Sequence, residues 1–253
     1  MRFSVIIPNY NGEKYLEKCL KSVLNQTFQD FEVIFVDDMS TDGSLEVARG
    51  LLRRHDDKIL VNESRRLNGG SRNVGILKAK GEYIICLDSD DWLKDDHVLE
   101  DIDKALKGED IMFLSYEVLW NEGVSNAAYL NYPDLKTAQT DATCAVWTKV
   151  VKTKLLKETL FPEGNLFEDR IQHYRLILKT KSFSCLNRIT HVWNRTNQNS
   201  TSQNRKLYDP YKFHYAGELF ILAQEVGECE FKHHLKGEIN AYLEQINKLM
   251  EEL

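Results

Sequence analysis

A chain of 253 residues with 42% apolar side chains can bury one substantial core and a smaller appended lobe. Its 33 basic and 39 acidic residues leave a net charge of −6, so no global positive field recruits nucleic acid, and none is expected as a partner. No run approaches the ~20 apolar residues of a spanning helix, and the apolar run behind Met1 is too short for a signal peptide, so a cytoplasmic location is expected.

In chain order, β-branched runs at residues 5–7, 33–36, 59–61, 83–87 and 111–114 predict strands. Between the first two, Leu16, Cys19, Leu20, Val23 and Leu24 fall on one helical face, and residues 45–52, 74–79 and 98–106 are similarly amphipathic. Strand and helix alternate, which predicts an α/β fold with a mainly parallel sheet covered by helices. Residues 121–139 read as an irregular connection or peripheral hairpin, the pattern recovers over 145–156, and residues 168–178 read as a helix. After a polar stretch at 194–205, Phe231, Leu235, Ile239, Tyr242, Ile246 and Met250 form one helical stripe, most simply a packing face. The same stripe is compatible with a homodimer contact or peripheral membrane association, although interleaved Lys and Glu argue against a strongly basic membrane helix. Cys19, Cys86, Cys144, Cys185 and Cys229 are odd in number and lack paired metal-ligand spacing, so they read as reduced packing residues.

Ligands of such sheets sit beyond the carboxyl ends of the strands, and the segments there are strongly polar. Pro8-Asn9-Tyr10-Asn11-Gly12 follows the first strand, Asp37-Asp38-Met39-Ser40-Thr41-Asp42-Gly43 the second, and Asp88-Ser89-Asp90-Asp91-Trp92 the fourth. Three carboxylates within Asp88-Ser89-Asp90-Asp91 repel one another, and a hard divalent cation such as Mg²⁺ or Mn²⁺ relieves that cost while taking substrate phosphates. The competing reading is an acidic helix start, with Asp91 as cap. An acid at Asp37 or Asp38 suits ribose hydroxyls or the N3 hydrogen of uracil, but no G-x-G-x-x-G turn follows the first strand, which demotes a nicotinamide oxidoreductase. Asn68-Gly69-Gly70-Ser71-Arg72-Asn73 opens a helix where glycines let backbone approach a ligand and the helix terminus favours anions. An ordinary capped loop would look the same.

Together these segments resemble the family 2 glycosyltransferases with the GT-A fold. The resemblance is carried over residues 3–92 by Ser4-Val5-Ile6-Ile7-Pro8-Asn9-Tyr10-Asn11, Ser22-Val23-Leu24-Asn25-Gln26-Thr27-Phe28, Val36-Asp37-Asp38-Met39-Ser40-Thr41-Asp42-Gly43, Arg72-Asn73-Val74-Gly75 and Gly81-Glu82-Tyr83-Ile84. It implies an inverting, metal-dependent enzyme that transfers a sugar from a nucleotide-diphosphate sugar, a UDP-sugar foremost, to an acceptor hydroxyl. Pro8 and Tyr10 would wall the nucleotide pocket, Asp38 would bind the base and Arg72 the base or phosphates. Asp88 would lie near the ribose, and Asp90 would ligate the Mn²⁺ or Mg²⁺, with Asp91 the alternative.

The second half resembles the family less tightly. Phe167-Glu168-Asp169 before an amphipathic helix looks like its acceptor-side Glu-Asp motif, which implies Asp169 as the base, with Glu168 as runner-up or acceptor orienter. Without the upstream motifs these would be ordinary first-turn acids of a helix. Arg195, after the aromatic segment His191-Val192-Trp193-Asn194, is expected to clamp the diphosphate, or else to be an exposed loop arginine. Trp92 and Trp147 could stack on a sugar or simply pack, while His173 and His191 read as structural or surface residues. The expected division is a nucleotide-sugar half at 1–114, an acceptor half of the same domain at 115–205, and a helical extension at 206–253. The acceptor is expected to be a saccharide or lipid-linked saccharide of a growing surface polysaccharide, met at the inner face of the plasma membrane. A nucleotidyltransferase would need a glycine-rich basic loop after the first strand. A non-catalytic sugar-nucleotide binder would have lost Asp90 or Asp169.

Overall fold

The computed structural model describes residues 1–54, 56–121, 123–140, 143–164, 166, 168–198, 200, 212–226 and 230–251. Phe167, Asn199, Cys229 and the junction at 205/206 lie outside them, and of Met250 only the backbone is described.

β1 (Phe3–Asn9) and β2 (Phe31–Asp37) are buried along their whole length, as strands covered on both faces must be. They pair in parallel from Phe3 opposite Phe31 to Asn9 opposite Asp37. β3 (Lys58–Val61) extends the parallel sheet beyond β2, and β4 (Tyr83–Cys86) adds to the other side of β1. The winding therefore reverses at β1, and the crevice of a switch point opens beyond Asn9 and Cys86.

The sheet continues past β4 through β8 (Lys149–Lys152), β6 (Ile111–Asn121), β9 (Phe183–Asn194) and β5 (Trp92–Leu93), with β7 (Val124–Ala128) folded onto β6 as a hairpin. β8 runs antiparallel between β4 and β6, and β9 lies parallel to β6. β6 passes from residue 114 to 115 without a break, so the two expected halves share one sheet.

α1 (Glu13–Leu24), α2 (Ser44–Leu51) and α4 (Val98–Ala105) cover one face of the sheet through Leu16, Leu20, Ala48, Leu99 and Ile102. The other face is covered by α3 (Leu67–Lys78), α5 (Leu135–Thr140), α6 (Thr153–Lys157) and α7 (Glu168–Lys179), through Ile76, Ala138, Leu156 and Leu176. A third cluster joins α7 to α8 (Lys212–Glu225) and α9 (Glu230–Glu251), where Phe231 and Leu235 of the terminal stripe pack with Tyr174, Tyr215 and Leu219. Glu238 pins this extension by accepting from the hydroxyls of Tyr174 and Tyr215, each at 2.9 Å, and from Arg170 at 2.8 Å. Phe231, Leu235, Ile239 and Tyr242 of the stripe are thus used internally. Among the described residues no helix is long and apolar enough to cross a membrane, and Cys19, Cys86, Cys144 and Cys185 are in no disulfide.

α3 approaches β1 so closely that a Cβ on Gly75 would stand 2.6 Å from Cγ2 of Ile6. That approach sets the depth at which Arg72, one turn earlier, enters the sheet end. Gly75→Ala forces the core to shift, and the overpacking outweighs the gain in helix propensity, so urea denaturation should show a loss of about 1–2 kcal/mol.

Candidate active site

The loops beyond β1, β3 and β4 and the start of α7 enclose a cleft of about 950 Å³, lined among others by Pro8, Tyr10, Arg72, Asp88, Asp90, Glu168 and Asp169. Of the expected site residues, Asp38, Asp91 and Arg195 are not on its lining.

At one end, Tyr10 is 46% exposed and the Arg65 guanidinium lies over its ring at 3.3 Å. Arg65 also donates to the Asp38 carboxylate at 2.8 Å. Asp38 is buried, and it accepts as well from Asn62 Nδ2 and from the backbone N–H groups of Arg66 and Leu67 at 2.8–3.0 Å. These bonds hold Leu67 at φ 60°, in the left-handed region that a leucine rarely enters. Asn11 and Met39, in the neighbouring loops, have φ of 51° and 65°. Asp38 therefore fastens the start of α3 beneath the cleft. Arg65 was not singled out by sequence reasoning, and its only signal was its place just before the glycine-containing helix start.

The acidic loop divides its carboxylates. Asp88 Oδ1 accepts from Arg72 Nη2 at 2.7 Å. Asp90 faces the cleft and accepts from Asn197 Nδ2 at 2.7 Å, and burial, then the charge of Asp88, raises its pKa. Asp91 turns inward, 1% exposed, and accepts the backbone N–H of Asn194 at 2.7 Å. Its pKa is pushed well up by burial and then by Asp90 and Asp88. The capping alternative for Asp91 is corrected, because β5 follows it and the next helix begins at Val98.

The opposite wall is the start of α7. Arg72, 1% exposed, donates through Nη1 to Glu168 Oε1 at 2.9 Å and to Asp169 Oδ1 at 3.0 Å. One buried cation thus faces three carboxylates on two sides of the cleft. Burial, then the neighbouring Asp169, lifts the Glu168 pKa to about 8 despite Arg72, and burial chiefly raises that of Asp169 too. The Asp169 side chain is 30% exposed against 7% for Glu168, so Asp169 is the more open of the two carboxyl groups that line the cleft. The backbone of Val146 also hydrogen-bonds it. Gly69 and Gly70 serve protein packing rather than a ligand: added Cβ atoms would stand 2.8 Å from Glu168 Cγ and 2.7 Å from Arg66 Cβ.

Trp147, Trp193, Thr196 and Asn197 complete the far wall. Arg195 sits with its guanidinium 4.7 Å from the Trp193 ring centre and 5.3 Å from that of Trp120. Trp92 is likewise off the cleft lining, with Lys18 over its ring at 3.1 Å. His173 and His191 are buried, and burial lowers both pKa values, that of His191 to about 3. Both are structural. Lys149 is fully buried, which pushes its pKa down to about 8, and its ammonium donates to the carbonyls of Thr143, Cys144 and Ala145 at 2.8–3.2 Å. A lone lysine inside the apolar run at 146–151 was its only sequence signal.

Residues 4–153 match the family model described as "Glycosyl transferase family 2". Over 211 residues the chain is 27% identical to "Glycosyltransferase GlyA" of Streptococcus pneumoniae, covering 76% of this chain and 30% of that protein. Over 196 residues it is 31% identical to the "Poly(ribitol-phosphate) beta-glucosyltransferase" of Bacillus spizizenii, covering 73% and 31% respectively. The chain therefore spans under a third of the length of either relative. Among solved structures, S. aureus TarS 1–349 in complex with UDP-GlcNAc matches with a TM-score of 0.74 and 25% identity, over 96% of this chain and 72% of that one. The helix-flanked, largely parallel sheet is thus a GT-A fold.

The raised Glu168 pKa has a consequence independent of any substrate. Folded Glu168 keeps its proton from 4.5, the ordinary value, up to about 8, where the unfolded chain has lost it. Its contribution to stability is full below that window and is lost as the pH rises through it. Urea melts between pH 5 and 8.5 should show wild type losing stability relative to Glu168→Gln as the pH rises; parallel profiles would remove the raised pKa.

Proposed function

Because the chain belongs to glycosyl transferase family 2, we propose that it moves a sugar from a UDP-sugar to an acceptor hydroxyl with inversion. The observation that carries this reading is the shared cleft, with Asp90 on one wall, Asp169 on the other and Arg72 bound to both sides. In a single displacement the acceptor oxygen bonds to the anomeric carbon on the face opposite the departing diphosphate, and a carboxylate takes the hydroxyl proton. Asp169 is that base: it is the exposed member of its pair, and the Val146 backbone and Arg72 fix its direction. Glu168, still protonated near neutral pH, keeps a second full negative charge away from it.

Pro8 and Tyr10 wall the uridine, and Asp38 supports that end through Arg65 and the start of α3. The donor set also fits a divalent cation. Among the described residues no three acidic, His or Cys side chains are arranged to hold a metal ion, but Mg²⁺ and Mn²⁺ need only one or two carboxylates beside substrate phosphates. Asp90 faces the cleft with its charge poorly compensated, so it is the ligand we assign, with Asp91 committed to Asn194. Bound there, the ion would neutralise charge on the leaving diphosphate. Arg195, held against two indoles and off the cleft lining, is assigned to packing behind the wall rather than to the diphosphate.

The named activity of the B. spizizenii relative, glucosyl transfer to poly(ribitol-phosphate), and the UDP-GlcNAc in the TarS structure support a hexosyl or N-acetylhexosaminyl donor and a growing surface polymer or lipid-linked saccharide as acceptor. Such an acceptor would be met at the cytoplasmic face of the membrane. Residues 1–114 would hold the donor and 115–205 the acceptor.

Asp169→Asn should leave the dissociation constant for UDP within about twofold while slowing transfer at least about a hundredfold, the usual weight of a general base. Calorimetry and a UDP-release assay read the two quantities, and loss of both, or of neither, would remove Asp169 from the role.

A further inference from the structure

We infer that Trp193, backed by Trp147, is the platform on which the acceptor saccharide lays the apolar face of its ring, presenting a hydroxyl to Asp169. This rests on the transferase reading above and adds the surface that selects the acceptor.

Both indoles line the cleft, and Trp193 is the more open of the two, Trp147 being 6% exposed. Their ring centres are 5.5 Å apart, and Tyr116 packs edge-on to Trp147 at 4.9 Å. Indole surface in a cleft otherwise rich in carboxylates, amides and hydroxyls calls for a ligand that is apolar on one face and polar at its rim, as a pyranose is.

The position is set apart from the wall assigned to the uridine. Trp193 lies on β9, four strands along from β1 in the order β1-β4-β8-β6-β9. At ~4.8 Å per strand that places it roughly 19 Å along the sheet from the wall at Pro8 and Tyr10. A base walled there leaves Trp193 free, and the bonds of Asn194 and Asn197 to Asp91 and Asp90 set it beside the acidic loop, where the sugar end of the donor and its acceptor would meet.

The platform is also registered to the chemistry. Val146, whose backbone bonds Asp169, directly precedes Trp147. The Lys149 ammonium grips the three carbonyls just upstream, and Asn194, directly after Trp193, is tied to Asp91. The two tryptophans and the base are therefore held by hydrogen bonds that carry no freedom of a surface loop. Arg195 packs against the Trp193 ring at 4.7 Å, and the part of the indole that lines the cleft is left for the saccharide.

The test uses a panel of methyl pyranosides as acceptors with UDP present. In saturation-transfer NMR, ring C–H protons of at least one glycoside should receive saturation from wild type and not from Trp193→Ala. In transfer assays Trp193→Ala should raise the glycoside KM about tenfold, some 1.4 kcal/mol, with the UDP dissociation constant within about twofold. Trp193→Phe, which keeps an aromatic face, should recover most of the acceptor affinity and guards against a folding defect. An unchanged glycoside KM, an equal loss of UDP affinity, or no saturation from wild type with any glycoside overturns the platform. A wild type that turns over no nucleotide sugar overturns the transferase reading instead, and the NMR result alone then decides whether the platform stands.

Discussion

The site depends on one buried guanidinium. Arg72 is removed from water at a cost of several kcal/mol, and it is held by Asp88 on one side of the cleft and by Glu168 and Asp169 on the other. Those carboxyl groups lie up to 97 residues from Arg72 in the chain, so their bonds to it fix the width of the cleft. They are possible because α3 lies close on both flanks: Gly75 admits Ile6 of β1, and Gly69 admits the Glu168 side chain. Truncating such a cation leaves three carboxylates facing one another, a far larger perturbation than loss of one surface ion pair.

Around that cation the chain twice sets two acids side by side and gives them different work. In Asp90-Asp91 the second member turns into the protein and secures the end of β9, while the first faces the cleft. In Glu168-Asp169 the first is the buried member and the second is open. Each inner acid costs desolvation, visible in the raised pKa values of Asp91 and Glu168. Each return is geometric: a fixed strand end, or a fixed neighbour for Asp169. The helical extension serves the same end at greater distance, since Glu238 is bound to Arg170, the residue after Asp169.

Much of this was legible in the sequence. Strands β1 to β4 announced themselves as short β-branched runs followed by polar loops, and their order alone implied the parallel sheet and the place of the cleft. Less legible was what depends on distant pairing. β9, Phe-Ser-Cys-Leu-Asn-Arg-Ile-Thr-His-Val-Trp-Asn, has no continuous apolar run, because parts of it are only half covered, and its parallel pairing with β6 spans some 70 residues. Whether Asp90 or Asp91 meets the cleft could not be read locally, since the two are chemically identical; Asn194, 103 residues away, makes the distinction. Arg195 resembled an anion clamp, yet Trp120 and Trp193, brought together by the β6–β9 register, surround it instead. Lys149 looked misplaced in an apolar run because its three carbonyl partners are created only by the turn that precedes it.

The central claim is that this cleft binds a nucleotide diphosphate through the wall at Tyr10 and a divalent cation at Asp90. Calorimetric titration of UDP into the protein, with and without Mn²⁺, tests it most directly. The account predicts binding that strengthens markedly when Mn²⁺ is added and loses that gain in EDTA; no heat of binding for UDP, or for any of a panel of nucleotide sugars, with the metal present would contradict it.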